Sequence, residues 1–200
     1  SETEVGKTAT FRFSVKGVDT VLLGVADYGR NETLVKINAQ TGEIITETDF
    51  DYTVDDGKVT ITKYTGSSVD VVIPDEIMGY PVTAIGDAAF QLQKLPKVIT
   101  VGKNVKTIGE RAFARCNALT ELRVADGNTA FRSIDGVLYT ADGKTLVAYP
   151  TAKADTAYTV APGTETIGAY AMYFCAAQTV TLPDTVKVIE TNAFAYSSQL

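Results

Sequence analysis

One phrase recurs along this chain, and a fixed repeat decides a fold before local propensity does. It reads Val82-Thr-Ala-Ile85-Gly86-Asp-Ala-Ala89-Phe90, then Val105-Lys-Thr-Ile108-Gly109-Glu-Arg-Ala112-Phe113. It returns as Thr164-Glu-Thr-Ile167-Gly168-Ala-Tyr-Ala171-Met172 and as Val186-Lys-Val-Ile189-Glu190-Thr-Asn-Ala193-Phe194. The isoleucines are 23, 59 and 22 residues apart. Ahead of the phrases stand short alternating segments: Val71-Val72-Ile73, Ile99-Thr100-Val101, Tyr158-Thr159-Val160 and Val180-Thr181-Leu182. A fifth, Leu122-Arg123-Val124, has no phrase behind it. Period-2 segments read as strands with one face in a core. The Ala-Phe pieces are too short for long helices and read as single helical or 3₁₀ turns. Gly86, Gly109 and Gly168 suit the bend, where a positive φ or a close approach favours glycine.

The strand ends Ile73, Val101, Val124, Val160 and Leu182 are spaced 28, 23, 36 and 22. Two intervals are the bare repeat and two carry insertions. The first insertion, Ile77-Met-Gly-Tyr-Pro81, reads as a loop punctuated by Gly and Pro. The second replaces the phrase altogether, with Gly136-Val-Leu-Tyr139 and Leu146-Val-Ala-Tyr149 flanking Asp142-Gly143, a β-hairpin signal. Residues 1–65 lack the repeat. Ala9–Val15, Val21–Val25, Leu34–Ile37 and a hairpin around Asp55-Asp-Gly57 read as strands, with a turn at Ala39–Gly42. The expected fold is therefore an α/β solenoid of about five strand-plus-helical-turn coils with an inserted hairpin. Residues 1–65 form a β-rich module or cap, and residues 66–200 the solenoid. Leu200 stands six positions after Phe194, as Leu119 does after Phe113, so the spacing expects a further strand and a chain cut from a longer repeat protein.

Composition excludes more than it selects. Histidine is absent, which removes Ser-His and Cys-His pairs, imidazole metal ligands and the usual general base. A net charge of −6 argues against nucleic acid. No apolar run approaches the ~20 residues that span a bilayer. Ser1-Glu-Thr-Glu4 is polar and reads as a trimmed end rather than a secretion signal. The acids Glu47, Asp49, Asp51, Asp55 and Asp56 do not follow a calcium-loop order and read as a solvated strand and turn. Cys116 and Cys175 follow Phe113 and Met172 by three residues and read as buried thiols. Two coil steps put them ~10 Å apart, beyond disulfide reach. Neither a cofactor nor catalysis is expected.

The strand with its phrase resembles the BspA-like class of bacterial leucine-rich repeats. Leu119-Thr-Glu-Leu122-Arg-Val124 matches the strand, Ala112-Phe113-Ala-Arg-Cys116 the turn, and Ala171-Met172-Tyr-Phe-Cys175 the turn with Met for Phe. Ser133-Ile-Asp-Gly136 through Tyr149-Pro150 is similar to a hairpin of that class. Gln93 and Ser197 replace the cysteine, and Gln178 the strand leucine. The resemblance implies a leucine-rich-repeat solenoid on a bacterial cell surface or secreted, adhering to host or matrix molecules.

Binding residues follow from strand alternation. If Ile73, Val101, Val124, Val160 and Leu182 point inward on one continuous sheet, Val72, Thr100, Arg123, Thr159 and Thr181 form an outward row. Asp70, Val98, Glu121, Ala157 and Thr179 form another. A basic tilt over Lys94, Lys97, Lys103, Lys106, Arg111, Arg115, Arg123 and Arg132 reads as a solvated face, or as a patch for an anionic partner. The expected function is recognition of a protein or glycan outside the cell by a chain monomeric in isolation. The alternative is an accessory or spacer region of a larger surface enzyme.

Overall fold

The computed structural model of the chain describes residues 20–26, 32–38 and 48–200, the first two segments as backbone strands. These are β1 (Thr20–Ala26) and β2 (Glu32–Asn38), paired antiparallel. The expected strand at Ala9–Val15 and the turn at Ala39–Gly42 lie outside the described residues. β3 (Phe50–Asp55) and β4 (Lys58–Tyr64) form the hairpin expected around Asp55-Asp56-Gly57. Asp56 and Gly57 take φ of 47° and 67°, the two positive values a type I′ turn requires. β4 then pairs in parallel with the solenoid, Ile61 beside Ile85. Val59 and Ile61 are fully buried in the same core as Val82 and Ile85.

The first stack contains β5 (Asp70–Val72), β6 (Glu76–Ile77), β7 (Tyr80–Ile85), β8 (Val98–Val101), β9 (Thr107–Ile108) and β10 (Glu121–Val124). β5, β8 and β10 lie parallel, with Val72, Thr100 and Arg123 side by side. β4, β7 and β9 form the second wall. Between the walls Val71, Ile73, Ile99, Val101 and Leu122 are buried, as the alternation requires. The segment Ile77–Pro81, expected as a loop, is instead a tight β6–β7 hairpin. Met78 and Gly79 both take positive φ, 56° and 80°, which lets two residues reverse the chain.

β11 (Phe131–Ile134), β12 (Val137–Thr140) and β13 (Thr145–Ala148) form the inserted antiparallel element. It holds two reversals, one at Asp142-Gly143 as expected and one at Asp135-Gly136, with φ of 50° and 77°. The second stack follows with β14 (Ala157–Thr159), β15 (Thr166–Ile167), β16 (Thr179–Thr181) and β17 (Val188–Ile189). β14 pairs with β16, β13 with β15, and β15 with β17, all in parallel.

Two expectations need correction. The Ala-Phe segments are not helical, and no helix occurs among the described residues. Each is two successive β-turns. Ala89 N bonds Gly86 O and Gln93 N bonds Phe90 O, and Ala112, Cys175, Ala193 and Ser197 amides repeat the pattern. The third residue of these turns is left-handed at Ala88, Leu92, Arg111, Arg115, Tyr170, Phe174, Asn192 and Tyr196, with φ between 56° and 65°. A type II turn demands that value, and a helix cannot contain it. Gly86, Gly109 and Gly168 serve close approach instead: a Cβ on Gly168 would lie 2.9 Å from Leu146 O.

The outer sheet is also not continuous. It divides into β5-β8-β10 and β14-β16. After β10 the chain enters the hairpin, and Leu122 N donates to Gly136 O at 2.8 Å. The Asp135-Gly136 turn therefore occupies the place of the next parallel strand. The core divides with it. Leu138 packs in the first core, while its neighbours Val137 and Tyr139 pack in the second, so β12 is the partition. Cys116 and Cys175 are free and buried. Cys116 Sγ donates to Phe90 O, and burial pushes its thiol up to about 12.

Candidate functional site

Strand alternation places all the expected binding residues on the outer face, in two patches. The first holds Asp70, Val98 and Glu121 in one row and Val72, Thr100 and Arg123 in the next. The second holds Ala157 beside Thr179 and Thr159 beside Thr181. Val72 is 62% exposed. Asp70, Arg123, Ala157, Thr159, Thr179 and Thr181 are exposed, and Val98, Thr100 and Glu121 are half-buried. Inward, Ile73, Val101 and Val160 are buried, while Val124 and Leu182 are half-buried. The structure does not bring the two patches into one row, because the hairpin stands between β10 and β14.

The first patch holds two carboxylates, Asp70 and Glu121, against one guanidinium, Arg123. Arg123 Nε and Nη2 each donate to the Glu121 carboxylate at 2.8 Å, and these bonds hold Glu121 below the usual carboxylate range. The Arg123–Glu121 pair, half-buried Thr100 and exposed Val72 suit a broad macromolecular contact rather than a small molecule. The buried polar groups are structural. Tyr139 and Tyr158 share a hydroxyl–hydroxyl bond of 2.6 Å, and Ala161 N donates to Tyr139 Oη. Among the described residues no three acidic or thiol side chains converge as metal ligands.

The basic tilt does not form one face. Lys103 pairs with Asp75 at 2.9 Å, and Lys106 donates to Thr129. Arg111 and Arg115 lie on the turn side, 5.3 Å over the Tyr170 ring and 4.9 Å over the Phe174 ring. Phe174 stacks on Tyr196 with centroids 5.1 Å apart, and Tyr173 meets both edge-on. This arginine–aromatic column escaped the sequence reading. Aligning the four phrases on their alanine would have shown it. The preceding position reads Ala88, Arg111, Tyr170, Asn192, and the second position after the aromatic or Met reads Leu92, Arg115, Phe174, Tyr196.

Comparison with solved structures finds the same fold elsewhere. A leucine-rich repeat protein from Eubacterium ventriosum superposes with a TM-score of 0.53 at 18% identity, over 74% of this chain and 61% of that one. A leucine rich cell surface protein from Faecalibacterium prausnitzii gives 0.49 at 23% identity, over 75% and 45%. The chain thus spans less than two thirds of the length of either. No curated protein sequence matches it. The pattern described as "BspA type Leucine rich repeat region" matches residues 67–135 and 156–200 in six copies. The stretch between the two matched segments, residues 136–155, runs through the hairpin that divides the two stacks. With more than half of the chain accounted for, this protein belongs to the BspA-type leucine-rich repeat family.

Proposed function

We propose that the protein is a recognition module that binds a protein or glycan outside the cell through its outer sheet face. The observation that carries the reading is the outer face itself. Val72 is exposed on the edge strand β5 beside Thr100, and the Arg123–Glu121 pair lies on the next strand beyond it. Apolar area flanked by hydrogen-bonding groups suits macromolecular contact. Repeats of this family are generally binding modules without chemistry of their own, and the absence of histidine from the sequence accords with that. The cell-surface setting and the adhesive role rest on the family, not on the geometry.

The test is an array of extracellular-matrix proteins and purified glycans, probed with the parent chain and with a Val72→Asp/Arg123→Glu double variant. Both positions are exposed, so the fold should be retained. At least one array component should bind the parent, and at least ten times more weakly the variant. Equal binding by both chains moves the surface elsewhere. If no component binds, the chain is better read as a spacer in a larger surface enzyme.

A further inference from the structure

Alternate backbone amides of one turn segment donate to carbonyls of the next along the turn side of the solenoid. Ala88, Phe90 and Leu92 donate to Glu110, Ala112 and Ala114 at 2.8–3.1 Å. Tyr170, Met172 and Phe174 donate to Thr191, Ala193 and Ala195 in the same way. The coil between them breaks the series. The equivalent amides of Arg111, Phe113 and Arg115 reach no protein acceptor among the described residues, because the hairpin coil that follows has no Ala-Phe phrase. On the facing wall the Ala169 and Tyr173 carbonyls accept from no described donor, while Ala171 O already holds Tyr149 N at 2.7 Å. A cleft of about 280 Å³ lies between these walls. The guanidiniums of Arg111 and Arg115 cross from one wall to the aromatic rings of the other. Neither forms an ion pair with a described carboxylate.

We propose that this cleft binds a short extended segment of an acidic peptide from another protein, lying where the omitted turn phrase would have been. Its carbonyls accept from the Arg111, Phe113 and Arg115 amides, and its own amides donate to the Ala169 and Tyr173 carbonyls. Main-chain pairing of this kind supplies affinity in strand addition, and side chains supply selectivity. Here selectivity comes from Arg111 and Arg115, whose guanidiniums take carboxylates in paired hydrogen bonds. Glu110 and Glu190 also line the cleft, but a Glu190 oxygen is held by the Ala169 amide at 2.8 Å. An acidic glycan could satisfy the arginines. It lacks the alternating carbonyls and amides that the two walls require. The proposal is independent of the outer-face reading, since no residue of the outer patches lines the cleft.

Three pools of fluorescent eight-residue peptides test it: acidic, with Asp or Glu at alternate positions, neutral and basic. Anisotropy should show the acidic pool binding the parent chain at least tenfold tighter than the other two, and more weakly as salt rises. Amide hydrogen exchange should slow at Arg111, Phe113 and Arg115 when that pool is added. Arg111→Gln/Arg115→Gln should cut the binding at least tenfold. Thr151→Trp, which fills the cleft with both arginines in place, should do the same. Val72→Asp/Arg123→Glu should leave it unchanged. The proposal fails if the acidic pool does not bind, if it binds without slowing those three amides, or if heparin slows them and the peptides do not.

Discussion

The buried hydroxyls and thiol of this protein depend on staying neutral. Tyr139, Tyr149 and Tyr158 all titrate above the ordinary phenol range, first of all because they are buried. Cys116 is pushed up to about 12 for the same reason. The sign follows from linkage. Above the unfolded values, ~8.5 for Cys and ~10 for Tyr, the unfolded chain gives up protons that the folded chain keeps. The stabilisation is whole below those values and is lost as pH rises through the folded ones. Each group can remove up to ~1.4 kcal/mol per pH unit. Urea unfolding at pH 8, 10 and 11.5 should show a midpoint that falls at each step. A constant midpoint would mean that these groups are not protected by the fold. Tyr158→Phe should soften the fall, at a cost of about 1–2 kcal/mol at neutral pH from the broken Tyr139 bond.

In the turn phrase, Ala88 and its seven equivalents sit in a backbone region that costs an L-residue ~1–2 kcal/mol. The amides of Ala88, Leu92, Tyr170 and Phe174 are each repaid by a bond to the next coil, worth about 1 kcal/mol. Ala88→Gly removes the strain and should raise stability by roughly 0.5–1 kcal/mol, after the extra freedom glycine gains in the unfolded chain. Ala112→Gly, at a buried position without positive φ, should lower it by about 1–2 kcal/mol. Denaturant midpoints of the two variants should move in opposite directions, and a shared direction would contradict the turn assignment. The strands were legible in the sequence because alternation is local: Val71-Val72-Ile73 states which side is inside without reference to any neighbour. The turns were not. Leu92, Tyr170 and Phe174 at positive φ are unreadable from propensity, since the bonds that hold them there come from a coil more than twenty residues away. Ala-Phe beside Gly109 then reads as the start of a helix.

Across the whole molecule, the outer rows were half legible for a related reason. Inward and outward residues were separable along each strand, but Arg123 and Thr159 are brought together only if the coils stack without interruption. The hairpin was visible at Asp142-Gly143. The second reversal at Asp135-Gly136, which sets its turn against Leu122, decides the stacking. Between the first and second coils Ala88, Phe90, Leu92, Lys106, Gly109 and Asn117 all make backbone bonds, besides those of the paired strands. Across the partition, among the described residues and besides the β11–β12 ladder, the backbone bonds are Leu122 N to Gly136 O, Ala141 N to Ala130 O and Ala152 N to Leu119 O. The protein is thus unevenly strong as a material. Pulled lengthwise, as a tether between two bodies in a flow would be, it should yield at the partition while each stack stays stiff. An optical trap should record a small low-force step before either stack unravels, and one abrupt rupture of the whole chain would contradict this. Such a joint would let two rigid faces tilt to meet a curved or moving target, taking up strain that would otherwise load the contact itself.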